Sequence, residues 1–200
     1  MKLATRAYDN SKRQAQAAER RRKILKCAAK VLADATNDEF RLEDVAQAAG
    51  VSVQTILRAF GSKDGLTVAT LETEAPDAVD FSAFANIAAD DIERCMLEMF
   101  KIYDKIGDLV IRLLADEHRS PQFQQALDVG RDFHKGLVTD LFGPRIEKKP
   151  VKERQILFHA LLAATDIYVW KILRRDEALS LEDSVATVAF TLRSLIQEKN

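Results

Sequence analysis

Residues 40–66 read FRLEDVAQAAGVSVQTILRAFGSKDGL, and the spacing within this stretch decides the fold. The pattern predicts a short helix over Leu42–Ala49, which Gly50 ends as a left-handed C-cap. Ser52 is placed to cap the N-terminus of a second short helix that runs to Phe60. Two short helices joined by a tight turn that contains glycine are typical of a helix-turn-helix.

Helical periodicity continues on both sides of this stretch, and no alternating strand pattern interrupts it. Upstream, the pattern predicts a helix from about Arg13 to Ala35. Downstream, Ser62 can cap a fourth helix, and Pro76 with the small residues after it indicates a domain linker. Further helices are expected at about 82–106, 108–118, 121–141, 151–175 and 181–197, with breaks at Gly107, Ser120-Pro121, Gly143-Pro144 with Pro150, and Ser180.

The penultimate predicted helix carries more apolar surface than one bundle needs. Residues 151–175 are apolar over more than one face, so we expect this helix to be covered by its own bundle and by a second subunit. The sequence therefore predicts an all-α chain with two parts. Residues 1–70 form a three-helix helix-turn-helix domain, and residues 77–200 form a larger helical bundle.

Charge is divided unequally along the chain, although the formal net charge is only -1. Residues 1–65 hold 13 Lys and Arg against 8 Asp and Glu, whereas residues 66–200 hold 17 against 23. A basic cluster lies at Arg20, Arg21, Arg22, Lys23 and Lys26. Such a segment on an otherwise acidic chain indicates contact with nucleic acid, and charge alone leaves a solvated helix face equally open.

Other classes of protein find little support in the sequence. No apolar run reaches the ~18 residues of a membrane span, and the N-terminus lacks a secretory core, so we expect a cytoplasmic protein without a membrane partner. Cys27 and Cys95 lie in helical, largely apolar patterns and suggest no disulfide framework. His118, His134 and His159 lack the i, i+4 spacing of a metal site, and neither a metal nor a cofactor is expected.

The decisive stretch resembles a known family once the upstream residues 24–33, ILKCAAKVLA, are added. Together they are similar to the DNA-binding signature of the TetR family, with the pattern DVA..AGVS..T....F.SKD.L. The resemblance covers about residues 20–70. It implies a dimeric transcriptional regulator, usually a repressor, on a palindromic double-stranded operator. It further implies a small-molecule effector, a ligand pocket inside the bundle and a homodimer interface on the last two long helices.

Seven residues are candidate DNA contacts. Gln54 can pair with adenine, Arg58 with guanine and Thr55 with a phosphate or a thymine methyl, and each good base pairing gives about 1–3 kcal/mol of discrimination. Lys63 is placed to bind a phosphate. Arg41 is a poor N-cap that instead brings a charge near DNA. The full set is Arg41, Val53, Gln54, Thr55, Leu57, Arg58 and Lys63.

Two of these candidates depart from the family pattern. Many members have an aromatic residue where this chain has Leu57, and a Lys often stands where this chain has Val53. Either side chain can pack on thymine methyl groups. The operator preference of other members therefore does not carry over to this chain. The basic cluster of Arg20–Lys26 adds candidate contacts to the DNA backbone.

A mostly apolar set with a few polar groups is the candidate ligand pocket. The same residues also suit a plain core, since Met and aromatic side chains at helical spacing usually pack. The set comprises Met99, Phe100, Tyr103, His118, Phe133, Phe158, Leu162, Asp166 and Trp170.

Three functional hypotheses remain open at this point, and the first is a ligand-gated regulator. The second is a DNA-binding regulator without an effector, and the third is a helical enzyme. No GxSxG, HExxH, P-loop or dinucleotide motif is present, so a non-enzymatic regulator is the expectation.

Overall fold

A computed structural model describes residues 3–34, 40–78, 84, 87 and 91–196, and for residues 3–10, 34 and 76–78 it describes the backbone alone. Every regular element within these residues is helical. The helix end expected at Ala35, the start expected near residue 82 and the end expected at residue 197 lie outside the described residues. The chain divides into two compact units, Met1–Glu74 and Ala75–Asn200.

Four helices begin the chain: α1 over Leu3–Asp34, α2 over Leu42–Ala49, α3 over Val53–Phe60 and α4 over Lys63–Ala78. The expected bounds of α2 and α3 are confirmed. The expected start of α1 at Arg13 is wrong, because no Gly or Pro interrupts residues 3–12 and the helix continues through them. Pro76 also lies inside α4, near its end, where a proline removes only one backbone hydrogen bond.

The second unit contains five further helices within the described residues. They are α5 over Ile92–Ala115, α6 over Pro121–Glu147, α7 over Val151–Ala164, α8 over Ile167–Lys171 and α9 over Leu181–Ile196. A 3-10 turn at Glu117–Arg119 joins α5 to α6, and a π-helical turn at Ile172–Asp176 follows α8.

Gly107 does not end a helix, contrary to the sequence expectation. The residue is buried in the middle of α5, and a Cβ built on it would lie 2.5 Å from the indole ring of Trp170. The two helices expected at 82–106 and 108–118 are therefore one helix in this region, and glycine is required there by a close neighbour.

Two other expected boundaries also differ. The helix expected to stop at 141 continues through Pro144 to Glu147, and buried Phe142 and half-buried Ile146 pack into the bundle around the proline. The helix expected over 151–175 is interrupted at Thr165 and Asp166. The interruption arises because the Asp166 carboxylate accepts a hydrogen bond from the Tyr168 amide at 2.9 Å and begins a new helix.

Each unit has its own apolar core. In the first unit, Ile24 of α1, Val45 of α2, Ile56 of α3 and Leu66 of α4 are all almost fully buried. In the second unit, the largest fully buried side chains are Trp170, Phe100, Phe142, Met96, Leu113, Leu161, Leu192 and Val138. The helices of both units are therefore held mainly by burial of one face.

The segment Val151–Asp176 is long and apolar enough to cross a membrane by length and composition alone. This is weak evidence, since a core helix of a soluble protein passes the same test. The break at Thr165 and Asp166 also divides the segment into separate helices.

Candidate nucleic-acid interface

The turn between α2 and α3 is built by glycine, as expected. Gly50 has φ 67° and ψ 40°, and its amide donates to the carbonyl of Gln47 at 3.2 Å. The amide of Val51 donates to the carbonyl of Ala46 at 2.9 Å. These two bonds close the C-terminus of α2 and direct the chain into α3.

Ser52 caps the N-terminus of α3. Its hydroxyl oxygen accepts from the Thr55 amide at 3.2 Å, and the two hydroxyl oxygens lie 2.9 Å apart. The Thr55 hydroxyl is therefore engaged with the cap while its side chain stays half-buried. This arrangement orients the first turn of α3, which is the part of a recognition helix that enters a major groove.

The outer face of α3 presents the polar candidates. Gln54 and Arg58 are exposed and lie four residues apart, on the same face of the helix. Neither side chain has a hydrogen-bond or ion-pair partner within the described part of the chain. Val53 and Leu57 are half-buried beside them. The face therefore offers an amide and a guanidinium group flanked by two apolar side chains.

The start of α4 packs tightly against the end of α3. The Ser62 hydroxyl accepts from the Gly65 amide at 2.9 Å, which confirms the expected cap. A Cβ on Gly65 would lie 2.2 Å from the carbonyl oxygen of Phe60, so only glycine fits. Lys63 is exposed, and its ammonium group lies 5.2 Å from the centre of the Phe40 ring.

Arg41 occupies the N-cap position of α2 without capping it. Its backbone is extended, with φ -120° and ψ 144°, and its side chain makes no cap hydrogen bond. The expected absence of a side-chain cap at this position is thereby confirmed. The Arg41 side chain is exposed and belongs to the same unit as α3.

The basic cluster of α1 separates into distinct roles. The Arg21 guanidinium donates to the Ala59 carbonyl at 3.0 Å and lies 4.3 Å from the centre of the Phe60 ring. Arg22 pairs with Glu19 at 2.8 Å. Lys23 lies close to Gly50, since a Cβ there would be 3.8 Å from its ammonium nitrogen. Sequence reasoning treated the cluster as one surface, because no local signal distinguishes its members.

The candidate pocket residues of the second unit do not all come together. Met99, Phe100 and Trp170 are buried in the core, while Tyr103, Phe158 and Leu162 are partly buried against it. Phe133 and Asp166 are also half-buried, on α6 and at the start of α8. His118 is exposed on the 3-10 turn at Glu117–Arg119.

A polar cluster surrounds Thr165 at the break between α7 and α8. The Thr165 hydroxyl donates to the Leu161 carbonyl at 2.9 Å and therefore accepts from Nε2 of His134, which lies 2.7 Å away. The Tyr103 hydroxyl donates to the Thr165 carbonyl at 3.4 Å. Burial lowers the pKa of His134, although the nearby Asp166 acts to raise it. Burial raises the pKa of Tyr103, and Asp166 raises it further.

Sequence reasoning did not include His134 in the candidate pocket. No sequence signal marked this residue, because its cluster is assembled by contacts between α5, α6 and the break after α7.

Trp170 is fixed by a second polar network. Its indole N–H donates to Asp104 at 2.8 Å, and Arg174 donates to both oxygens of the same carboxylate at 3.0 and 2.8 Å. The Arg175 guanidinium lies 4.5 Å from the centre of the Trp170 ring. Trp170 is therefore held as a structural centre of the bundle. Among the described residues, no group of three or more His, Cys, Asp and Glu side chains is arranged to hold a metal ion.

Comparison with known proteins agrees with this arrangement. Residues 24–70 match the family model of bacterial regulatory proteins, tetR family, and this match includes the end of α1, all of α2 and α3, and the capped start of α4. A search of curated proteins finds no match to the sequence.

Solved structures share the fold over most of the chain. A transcriptional regulator from Rhodococcus sp. Rha1 has a TM-score of 0.68 at 14% identity, covering 88% of this chain and 96% of that one. A tetR-family transcriptional regulator from Streptomyces coelicolor has a TM-score of 0.67 at 16% identity, covering 89% and 80%.

A TetR-like transcriptional regulator from Rhodococcus sp. RHA1 has a TM-score of 0.64 at 18% identity, covering 90% of this chain and 97% of that one. At these identities the likeness concerns the fold alone. Residues 24–70 therefore carry a capped helix-turn-helix of the tetR family of bacterial regulatory proteins, and the chain shares the all-helical fold of these solved regulators.

Proposed function

We propose that the chain is a cytoplasmic transcriptional repressor that binds a palindromic operator as a homodimer and is released by a small-molecule effector. The observation that carries the DNA-binding part is the outer face of α3. This face presents Gln54 and Arg58 side by side on a helix whose start is fixed by Ser52 and whose end is packed against Gly65. Such a helix enters a major groove with its polar side chains directed at base edges.

The DNA backbone is bound by the residues around α3. Lys63 at the start of α4 neutralises a phosphate, and Arg41 adds a charge at the start of α2. Thr55, Val53 and Leu57 complete the contact surface, with the apolar pair against thymine methyl groups. In a two-fold dimer the recognition helices of the two subunits enter successive major grooves about 34 Å apart or somewhat more.

The dimer forms through α7 and α9. Ile156 of α7 is 70% exposed and Phe190 of α9 is 73% exposed, and both are large apolar side chains. Val151, Tyr168 and Ile172 are exposed in the same two helices and the segment between them. Apolar surface on adjoining elements is the expected signature of an interface between copies.

The effector binds inside the second unit beside the polar cluster around Thr165. Tyr103 and Asp166 supply polar groups, and Phe158 and Leu162 supply apolar surface, so the effector is expected to be partly apolar. His134 belongs with this set because of its bond to Thr165. The effector releases the protein from DNA if it binds more tightly to the conformation that does not bind DNA. The equilibrium between the two conformations can shift only by the difference in effector affinity.

The test is DNA binding by fluorescence anisotropy across a salt series, with a duplex taken from DNA upstream of the protein's own coding sequence and a scrambled duplex. Arg58→Ala is expected to remove the preference for the upstream duplex. Lys63→Ala is expected to weaken both duplexes and to reduce the salt slope of the homodimer by about 1.8, because one phosphate contact is lost from each subunit.

Arg119→Ala serves as the control, because Arg119 is an exposed arginine of the second unit and its loss should leave both affinities unchanged. If neither the upstream DNA nor a random-sequence pool yields a duplex that binds better than scrambled DNA, the DNA-reading function is wrong. If specific binding appears but no compound from a screen weakens it, the regulator acts without an effector.

A further inference from the structure

The C-terminus of α3 is completed by a residue of α1. The last four carbonyls of a helix lack partners within the helix. In α3, the Leu57 carbonyl receives the Gly61 amide at 2.8 Å, and the Ala59 carbonyl receives the Arg21 guanidinium at 3.0 Å. Arg21 precedes Ala59 by 38 residues. A long-range contact thus supplies what local capping leaves open.

The same guanidinium also covers the last side chain of α3. It lies 4.3 Å from the centre of the Phe60 ring, within the range of a cation–π contact. The Phe60 carbonyl also closely approaches Gly65 of α4. The final turn of α3 is therefore held between a side chain of α1 and the backbone of α4.

The neighbours of Arg21 in the basic cluster behave differently. Arg22 is paired with Glu19 along α1, and Arg20 is exposed and has no hydrogen bond or ion pair within the described residues. Only Arg21 in this cluster hydrogen-bonds to α3 in the described part of the chain. The Arg21 side chain is exposed overall, but one of its N–H groups is engaged by the Ala59 carbonyl and one face of its guanidinium lies on the Phe60 ring, so the group is held at the end of α3.

We propose that Arg21 is a positioning residue for DNA reading. It fixes the final turn of α3 through Ala59 and Phe60, and thereby sets the angle at which Gln54 and Arg58 face the bases. Its charge contributes to sequence discrimination and not to the binding of phosphates. We call the contacts of Arg21 with Ala59 and Phe60 the clamp. The link from the clamp to sequence discrimination rests on the proposed DNA-binding function, whereas the clamp itself is a property of the free protein.

The clamp is tested first without DNA, by hydrogen exchange on the wild type, Arg21→Ala and Arg20→Ala. Loss of the clamp should speed exchange of the Phe60 and Gly61 amides roughly fivefold in Arg21→Ala, because local opening of this turn becomes easier. Arg20→Ala, which removes an adjacent charge, should leave these amides unchanged. Equal exchange in Arg21→Ala and the wild type would overturn the proposal.

The effect on reading is tested with a duplex selected from a random-sequence pool by the wild type and with a scrambled duplex. Arg21→Ala should lower the ratio of the two affinities roughly fivefold and leave the salt slope unchanged. Arg21→Lys keeps the charge but lacks the planar fork, so it should not restore the ratio. Loss of folded protein alone would weaken both duplexes equally and leave the ratio unmoved.

A contrary result has a distinct signature. If Arg21→Ala weakens both duplexes, reduces the salt slope of the homodimer by about 1.8 and is rescued by Arg21→Lys, Arg21 is a phosphate contact and the proposal is wrong. If the wild type selects no sequence while Arg21→Ala still speeds exchange at Phe60 and Gly61, the clamp is supported and the regulator function is the part that fails.

Discussion

The indole ring of Trp170 occupies the space that a Cβ on Gly107 would fill, with two ring carbons 2.5 Å from that position. The contact brings the backbone of α5 directly against the most deeply buried aromatic side chain of the bundle. Trp170 is in turn held by Asp104, one turn before Gly107 on the same helix. Gly107 and Trp170 are thus in direct contact, and the space between them does not admit an additional methyl group.

Gly107→Ala is expected to lower the free energy of unfolding by about 1–3 kcal/mol, because the added methyl group overpacks the bundle against Trp170. Gly130 and Gly136 in α6 provide matched controls, since a Cβ at either position meets nothing within 4 Å. Their replacement by Ala should raise the free energy of unfolding by about 0.5–1 kcal/mol. Urea denaturation measures all three, and a neutral Gly107→Ala would contradict the close contact.

Arg41→Ser is expected to stabilise the protein. The backbone at Arg41 already has the extended conformation of an N-cap, and no side chain now caps α2. A serine hydroxyl there should add about 1 kcal/mol, measured as a shift in the urea midpoint. The same variant should bind the operator more weakly if Arg41 contacts DNA, whereas Arg41→Ala should lose affinity without the gain in stability. Lower stability of Arg41→Ser than Arg41→Ala would exclude capping at this position.

Asp104 should make folding stability depend on acid pH. Burial acts to raise its pKa, but hydrogen bonds from Arg174 and Trp170 and the charges of Arg174 and Arg175 outweigh burial and hold the pKa below its usual value. Since the folded pKa is depressed, the stabilisation is present above the unfolded pKa and is lost as pH falls through the folded pKa. The wild type should therefore lose stability on acidification through this range.

Asp104→Asn is the variant that isolates this effect. It should be less stable near neutral pH by about 1–2 kcal/mol and should show a shallower loss on acidification, measured by urea denaturation at a series of pH values. Asp108→Asn is the control, because the Asp108 carboxylate pairs with Arg175 but is 60% exposed. Parallel acid profiles for the wild type and Asp104→Asn would rule out this role of the carboxylate.

Phe190→Glu is expected to dissociate the proposed homodimer, since a charge would replace an exposed apolar side chain of the proposed interface. Ile156→Glu should act in the same way on α7, the other helix of the proposed interface. Sedimentation velocity over a range of concentrations measures the assembly, and unfolding curves check that the subunits remain folded. A wild type that sediments as a monomer at all concentrations would remove the interface, and operator affinity should then be independent of both substitutions.

Local signals in the sequence were sufficient for the DNA-binding unit. Gly50, Ser52 and Ser62 end or begin helices through bonds to residues within four positions, so their effect can be predicted from spacing. The match of residues 24–70 to a family model reflects the same local pattern. The order and type of the elements in this unit were therefore predictable.

The second unit was harder because its decisive contacts are long-range. Gly107 was interpreted as a helix break. Its role depends instead on a contact with Trp170, which lies 63 residues later in the chain. His134 had no distinguishing neighbour in sequence, and its partner Thr165 is 31 residues away. The structural role of Arg21 likewise depends on a distant partner, Ala59, which lies 38 residues later. Spacing along one helix cannot predict such pairings.

The recognition helix α3 buries a single side chain, that of Ile56. Its orientation is supplied by the cap before it, the glycine contact after it and the arginine of α1. Substitutions at Gln54 and Arg58 therefore alter little of what keeps the unit folded. A helix fixed at its ends and nearly free along its outer face can acquire new operator preferences through successive mutations, each of them tolerated by the fold.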